Sequence, residues 1–252
     1  MTTIVRTATS IDATGLQFKE LNVKLRAAVA DGADRIELRN VYGQRYIGTD
    51  LDKAVRLDIY GTPGNDLGSF MDGPTIVVHG NAQDGCGNTM NEGEIVIEGH
   101  AGDIIGMSAR GGKIFVRDNV GYRAAIHMKE YKAKKPMIVV GGTAQDFAGE
   151  YMAGGVLVLL GLTLNGSMHH KASFIGTGMH AGIIYLRGTV NDYQLGKEVG
   201  VGPLDDDDRR VLDGLLTEFG NHFGLDTARI AGDKFIKLTP KYLRPYGRLY
   251  AY

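Results

Sequence analysis

Glycine recurs through the middle of this chain at a fixed interval of 19 residues, and this period limits the fold more than any other feature. Of the 37 glycines, 25 lie between Gly61 and Gly188, so the surplus is concentrated in one region. The glycines that keep the interval form three series, namely Gly61, Gly80 and Gly99; Gly68, Gly87 and Gly106; and Gly93 and Gly112. A period near 20 residues predicts stacked structural units.

A short apolar run precedes the first glycine of each unit. These runs are Leu57–Ile59, Ile76–Val78, Ile95–Ile97, Ile114–Val116, Ile138–Val140 and Leu157–Leu159. They are rich in β-branched residues, short, and bounded by glycine, which is typical of strands rather than helices. The sequence therefore predicts one strand at the same place in every unit.

The second half of each unit also repeats. A turn carrying an acidic or amide residue follows the glycine, as at Asn65, Asp84, Asp103 and Asp146, and we expect these side chains to bond nearby backbone amides. A second short strand is predicted next, ending in a buried methionine that fills the core. The methionines of this column are Met71, Met90, Met128, Met152 and Met179, and the glycine columns continue at Gly142 and Gly149.

Two strands and two turns in about 19 residues describe one coil of a β-solenoid, in which equivalent residues lie above one another. We predict an all-β core of about seven coils over residues 35–188, with insertions at 129–135 and 162–173 that protrude as loops. Residues 1–34 are predicted to form an N-terminal helical cap, with an amphipathic helix at 17–30 that closes the end of the core. Residues 189–252 are predicted to hold a C-terminal helix and an aromatic, basic tail. The helix follows Asp205–Asp208, which suit its N-terminus.

The outward-facing position of each first strand is unexpectedly apolar. These positions are Asp58, Val77, Val96, Phe115, Val139 and Val158, of which five are apolar where a solvated strand would carry polar residues. This face is predicted to be covered, either by the chain's own termini or by another protein, and Phe115, Val77 and Val96 are candidate partner contacts. His127 is the candidate for a contact with a partner or an anion.

Composition excludes several classes of function. The 28 Lys and Arg balance 29 Asp and Glu, which argues against nucleic acid and anionic membranes as partners. The single cysteine, Cys86, excludes an internal disulfide framework and is interpreted as a core residue. No secretory signal and no apolar run long enough to cross a bilayer is visible, so a cytoplasmic protein is expected. No catalytic constellation, cofactor site or metal site emerges, and the adjacent His169 and His170 are interpreted as loop residues.

Several segments resemble the glycine-repeat (GXGXG) domain of glutamate synthase, which forms the C-terminal part of the large subunit. The resemblance spans about residues 36–188 and is carried by Gly80–Gly87, by Met107–Val116 (MSARGGKIFV), by Tyr122–Lys129 (YRAAIHMK) and by Gly149–Gly161 (GEYMAGGVLVLLG). It implies a right-handed, single-stranded β-helix. Similar chains form a subunit of N-methylglutamate synthase and the glycine-repeat subunit of formylmethanofuran dehydrogenase.

The resemblance implies a structural role, because the amidotransferase domain, the flavin barrel and the iron–sulfur cysteines of that family are missing here. The chain is then expected to be a non-catalytic subunit of a glutamate synthase-type enzyme, holding a glutamine amidotransferase subunit and a flavin-binding synthase subunit together. FMN and iron–sulfur clusters are expected on those partners and no cofactor on this chain. The alternative is the structural, glycine-repeat subunit of a formylmethanofuran dehydrogenase or of a related formyl-transfer complex. A homo-oligomeric binding protein is a third, weaker interpretation.

Overall fold

The protein is described by a computed structural model over residues 8–164, 166 and 168–242. Its strands join one sheet in the order β1-β2-β3-β4-β5-β6-β7-β8-β9-β11-β10. The strands are β1 (Ala8–Asp12), β2 (Arg35–Tyr42), β3 (Arg56–Thr62), β4 (Asp72–His79), β5 (Glu92–Ile97), β6 (Lys113–Val116), β7 (Met137–Val140), β8 (Ala153–Leu159), β9 (Ala181–Arg187), β10 (Val199–Gly202) and β11 (Phe235–Pro240). The helices are α1 (Phe18–Ala30), α2 (Asp206–Phe223) and α3 (Ala228–Ala231), with a 3₁₀ turn at Asp192–Gln194.

The strands from β1 to β9 are parallel, and each turn of the chain contributes one of them. The predicted register is confirmed, since Leu57 pairs with Ile76, which in turn pairs with Ile95. Further along, Ile114 pairs with Ile138. The fold is thus a single-stranded, all-β solenoid of about six turns, in agreement with the predicted fold class.

The predicted second strand of each coil is wrong. That side of the solenoid is a stack of turns, which we call the turn stack, formed by residues 66–71, 85–90, 104–109, 123–128, 147–152 and 174–179. Every second residue has positive φ, as at Gly85 (72°), Gly87 (69°) and Thr89 (54°). A strand cannot alternate in this way, because its residues all have negative φ. The amides instead bond between coils, for example Gly87 N to Leu67 O at 2.8 Å.

Methionine and glycine share the interior of the turn stack. The methionines of the repeat are at most 1% exposed, namely Met71, Met90, Met128, Met152 and Met179. Gly149 shows why glycine recurs beside them, since its φ is +73° and an added Cβ would lie 2.6 Å from Ile184 Cδ1. Both the backbone conformation and the space favour glycine there.

The turn residues with acidic or amide side chains bond between coils rather than within their own turn. Asp84 Oδ1 accepts the amide of Asp103, and Asp103 Oδ1 accepts the amide of Tyr122, both at 2.9 Å. Gly121 lies where a Cβ would overlap the Asp103 carboxylate. These hydrogen bonds between side chains and amides of successive coils therefore require glycine in the following coil.

Both ends of the solenoid differ in part from expectation. Helix α1 packs Leu21, Leu25 and Val29 into the solenoid core, as predicted for a cap. Residues 8–12, however, form β1, which pairs parallel with β2 and adds a further strand to this end of the sheet. At the other end, β11 pairs antiparallel with β9 and β10, so part of the expected tail is a strand. The aromatic and basic residues predicted beyond Tyr242, among them Arg244 and Tyr246, lie outside the described residues.

Candidate interaction surface

Helix α2 covers the apolar outer face of the sheet. Phe115 is 0% exposed, Val96 3% and Val77 7%, and they share one cluster with Phe219 and Leu216 of the helix. The chain's own terminus therefore provides the cover, and Phe115, Val77 and Val96 are internal packing residues. Their assignment as candidate partner contacts is corrected: the apolar face is buried because an amphipathic helix returns across it.

A buried polar cluster fixes the start of α2 to the sheet. Asp205 and Asp208 form a capping box, each side chain accepting the other's amide at 2.9 Å. Tyr185 Oη donates to Asp208 Oδ1 at 2.7 Å, and Lys237 Nζ donates to Asp208 Oδ2 at 2.6 Å. Burial opposes ionisation, but the bonds from Lys237, Asp205 and Tyr185 outweigh it and hold the pKa of Asp208 below its usual value. The run of aspartates is thus explained by capping and docking.

Asp58 is the one polar member of the outer row, and charged side chains surround it. Its carboxylate is 1% exposed and accepts Arg35 Nε at 3.0 Å and Arg56 Nη2 at 2.8 Å. His79 Nε2 lies 3.2 Å from Asp58 Oδ1. Burial raises the pKa of Asp58, but the bonds and charge of Arg56, with His79 and Arg35, bring it below its usual value. These side chains cover the outer row at this coil, where no member of the α2 cluster is found.

The candidate residues for chemistry have structural roles. Burial raises the pKa of the Cys86 thiol to about 12, so it is not a nucleophile at neutral pH. His170 is not a surface loop residue as expected: it is 1% exposed, and its Nε2 donates to Arg187 O at 3.0 Å. Within the described ranges, no group of three or more His, Cys, Asp or Glu is arranged to hold a metal ion. None of the helices in that part of the chain has the length and hydrophobicity that a bilayer crossing requires.

His127 lies on the outside of the turn stack in a set of stacked rings. Its ring is 5.3 Å from that of Tyr151 and tilted by 7°, and Phe147 stacks on Phe174 at 4.9 Å and 10°. Arg123 Cζ lies 4.8 Å over the Phe147 ring. We call His127, Phe147, Tyr151 and Phe174 the aromatic ladder. Successive coils supply its members, because equivalent residues of the turn stack lie one above another.

Three rings of the aromatic ladder are exposed, Phe147 is half-buried, and the ladder has apolar neighbours. Phe174 is 50% exposed and Tyr151 47%, and His127 is also exposed. The adjoining outward positions of the turn stack carry half-buried apolar side chains, namely Ile104, Met107 and Ile126. The sequence singles out His127 but not the other rings, because insertions make the spacing between ladder residues 24 or 27 instead of 19.

A hollow of about 670 Å³ opens at the end of the ladder beside Phe174. Its lining includes Thr177, Tyr193 and Leu195, together with side chains of both charges. Among them, Lys197 and Lys241 are offset by Asp192 and Glu198. The mixture of charges gives no preference for an anionic or a cationic ligand.

The fold and this surface define a solenoid protein with an internal core and an exposed aromatic side, without a visible catalytic centre in its described part. The sequence matches the family model for the GXGXG motif over residues 19–246. The chain therefore belongs to the GXGXG motif family. It is also 46% identical over 248 residues to MJ1350, an uncharacterized protein of Methanocaldococcus jannaschii, covering 95% of both chains.

A solved structure shares the fold over nearly its whole length. It is a chain of the formyltransferase/hydrolase complex (FhcABCD) from Methylorubrum extorquens, solved in complex with methylofuran. The TM-score is 0.66 at 20% identity, and the similarity covers 94% of this chain and 96% of that chain. At this identity the comparison establishes the common fold.

Proposed function

We propose that this chain is a non-catalytic structural subunit of a multi-subunit formyl-transfer complex, related to the glycine-repeat subunit of formylmethanofuran dehydrogenase. The observation that carries the proposal is the end-to-end similarity to a chain of the formyltransferase/hydrolase complex. That chain is matched over 96% of its length, so the solenoid is a separate chain there as well. We expect the complex to be cytoplasmic.

The molecule has the properties that a structural subunit requires. Its interior is one continuous apolar cluster that extends from α1 to the last coils of the solenoid. Such a core resists bending between the two ends, since each coil is held by its neighbours. The titratable residues with displaced pKa values, such as Asp58 and Asp208, are engaged in packing and capping. The chemistry would then reside on partner subunits.

A glutamate synthase-type complex is the second candidate, favoured by the sequence resemblance of Met107–Val116 and Tyr122–Lys129. In that case the partners would be a glutamine amidotransferase subunit and a flavin-binding synthase subunit, with FMN and iron–sulfur clusters on those chains. The formyl-transfer complex is preferred, because the structural similarity covers 94% of this chain and therefore reaches into segments outside the repeat.

Affinity purification of the tagged chain from its native cells tests the proposal. We expect stoichiometric copurification of subunits with formyltransferase or hydrolase activity. The isolated chain should bind no flavin and release no ammonia from glutamine. Copurification of amidotransferase and flavin subunits would transfer the proposal to the second candidate. Activity or bound flavin in the isolated chain, or the absence of any stoichiometric partner, would refute a structural subunit.

A further inference from the structure

We propose that the aromatic ladder, with Ile104, Met107 and Ile126 beside it, is the surface on which a different subunit of the complex docks through an apolar patch of its own folded surface. This inference rests on the proposed function and adds where the contact is made. It also replaces the outer sheet face as the partner surface, since α2 covers that face.

The ladder places large side chains at positions of positive φ, a conformation that every second residue of the turn stack adopts. His127, Phe147, Tyr151 and Phe174 have φ values of 54°, 66°, 52° and 59°. A positive φ is unfavourable for residues with large side chains. Glycine tolerates it, and Gly178 occupies the position equivalent to Tyr151 in the next coil. Half-exposed rings gain little burial in return. The fold does not require large rings at these positions, because Thr89, Ser108 and Gly178 occupy the same column as His127 and Tyr151.

The rings of the ladder are already held in place. His127 and Tyr151 stack in parallel, as do Phe147 and Phe174, and Arg123 lies over Phe147 while its Nε donates to Glu150 at 3.0 Å. A partner that contacts these side chains loses little rotamer entropy on binding. Rigid aromatic side chains are also the residues that most often dominate binding energy.

The area suits the centre of a standard protein interface. A tyrosine or phenylalanine presents roughly 150–250 Å². With Phe174 at 50% and Tyr151 at 47% exposure, these two rings alone leave roughly 200 Å² accessible, and the exposed His127 ring adds to it. Half-buried Ile104, Met107 and Ile126 enlarge this patch. An interface of about 800 Å² per partner needs an apolar centre of a few hundred Å² with a polar rim, and the ladder supplies one.

Charge and hydrogen bonding restrict the occupant to a folded protein surface. Arg123 is paired with Glu150, so the ladder offers no net charge to a nucleic acid or an anionic lipid. The backbone amides around it bond between coils, as His127 N does to Glu150 O at 3.0 Å and Tyr151 N to Thr177 O at 2.9 Å. These groups are therefore unavailable for the addition of a partner strand. Side-chain burial is the remaining mode of binding.

Tyr151→Gly tests the inference, because Gly178 shows that the stack accommodates glycine at this position. The matched control is Phe70→Gly, which removes a ring of similar exposure (50% against 47%) and similar φ (59° against 52°) from a polar part of the turn stack. Each tagged variant is purified from native cells, and the partner that accompanies the wild type is identified and quantified. We expect Tyr151→Gly to retain the unfolding temperature within a few degrees while the bound subunit falls at least tenfold. The control should retain the wild-type amount.

A photo-crosslinking residue at His127 gives a second measurement that does not depend on the variant's folding. It should crosslink the same identified subunit, and the same residue at Phe70 should not. Full retention of the partner by Tyr151→Gly, with no crosslink from His127, would overturn the ladder as the docking surface while leaving the proposed function intact. A wild-type homodimer that Tyr151→Gly dissociates would assign the surface to a second copy and overturn the inference. A wild type without any partner would overturn both proposals.

Discussion

Truncation of Phe219 is the sharpest test of the cover that α2 provides. The Phe219 side chain is 0% exposed, lies in the cluster beneath the helix, and stacks edge-on against Phe223 at 4.7 Å. Gly141 leaves room for it, since a Cβ there would lie 2.7 Å from Phe219 Cζ. Phe219→Ala therefore empties a volume that neither the sheet nor the helix can readily fill.

The expected loss follows from that burial. Replacing a buried phenylalanine by alanine costs about 3–5 kcal/mol, because lost transfer free energy is added to the cost of the cavity. For a chain of this size, each kcal/mol lowers the unfolding temperature by roughly 2–4 °C, so Phe219→Ala should lower it by roughly 6–20 °C. Phe115 and Val139 should become accessible in parallel, because they pack in the same cluster.

Thermal unfolding followed by circular dichroism measures the loss, and binding of a dye that recognises exposed apolar surface measures the uncovering. Thr217→Ala is the matched control, since Thr217 lies on the same helix but on its exposed side. Its unfolding temperature should change by about 2 °C or less. If Phe219→Ala shifted the transition no more than Thr217→Ala, the helix would not cover the sheet in solution. The outer face would then become the partner surface again.

Three further predictions concern the coils. Asp103→Ala should cost about 1–2 kcal/mol in urea unfolding, since a coil-to-coil bond is lost, whereas Asp103→Asn should retain most of it. Gly149→Ala should cost about 1–3 kcal/mol through positive φ and a close Ile184 contact, and the reverse change at its columnar equivalent, Ala125→Gly, should change stability by less than about 1 kcal/mol. Burial lowers the pKa of His170 from the ordinary value of 6.5, so the unfolded state binds the proton more readily. Stability should be fullest above about pH 6.5 and decrease below it, and His170→Gln should flatten that decrease in pH-dependent unfolding; an unchanged slope would contradict it.

The sheet of the solenoid is predictable because stacked coils give equivalent residues the same environment. Leu57, Ile76 and Ile95 repeat as a type and in fact pair as neighbours. The predicted second strand is wrong because the composition of a short run rich in small residues does not distinguish a strand from a series of turns. The signal is present in Gly85 and Gly87, since glycine at alternate positions is typical of alternating positive φ. The strands β1 and β11 give no repeat, because each occurs once.

The outer face and the aromatic ladder show where a repeating sequence stops being informative. The apolar row of outward residues indicates that something covers the sheet, and Asp58 marks the coil at which this apolar cover ends. The sequence of the repeat does not show that the covering element is α2. The length and path of the intervening chain decide this, and they are not periodic. The ladder is hidden for the opposite reason: Tyr151 and Phe174 follow coils with insertions, so their alignment exists in the stacked backbone and not in the numbering. A surface assembled in this way can be recognised only when the coils are seen in register, and its exposed rings then lie side by side outside the solenoid core.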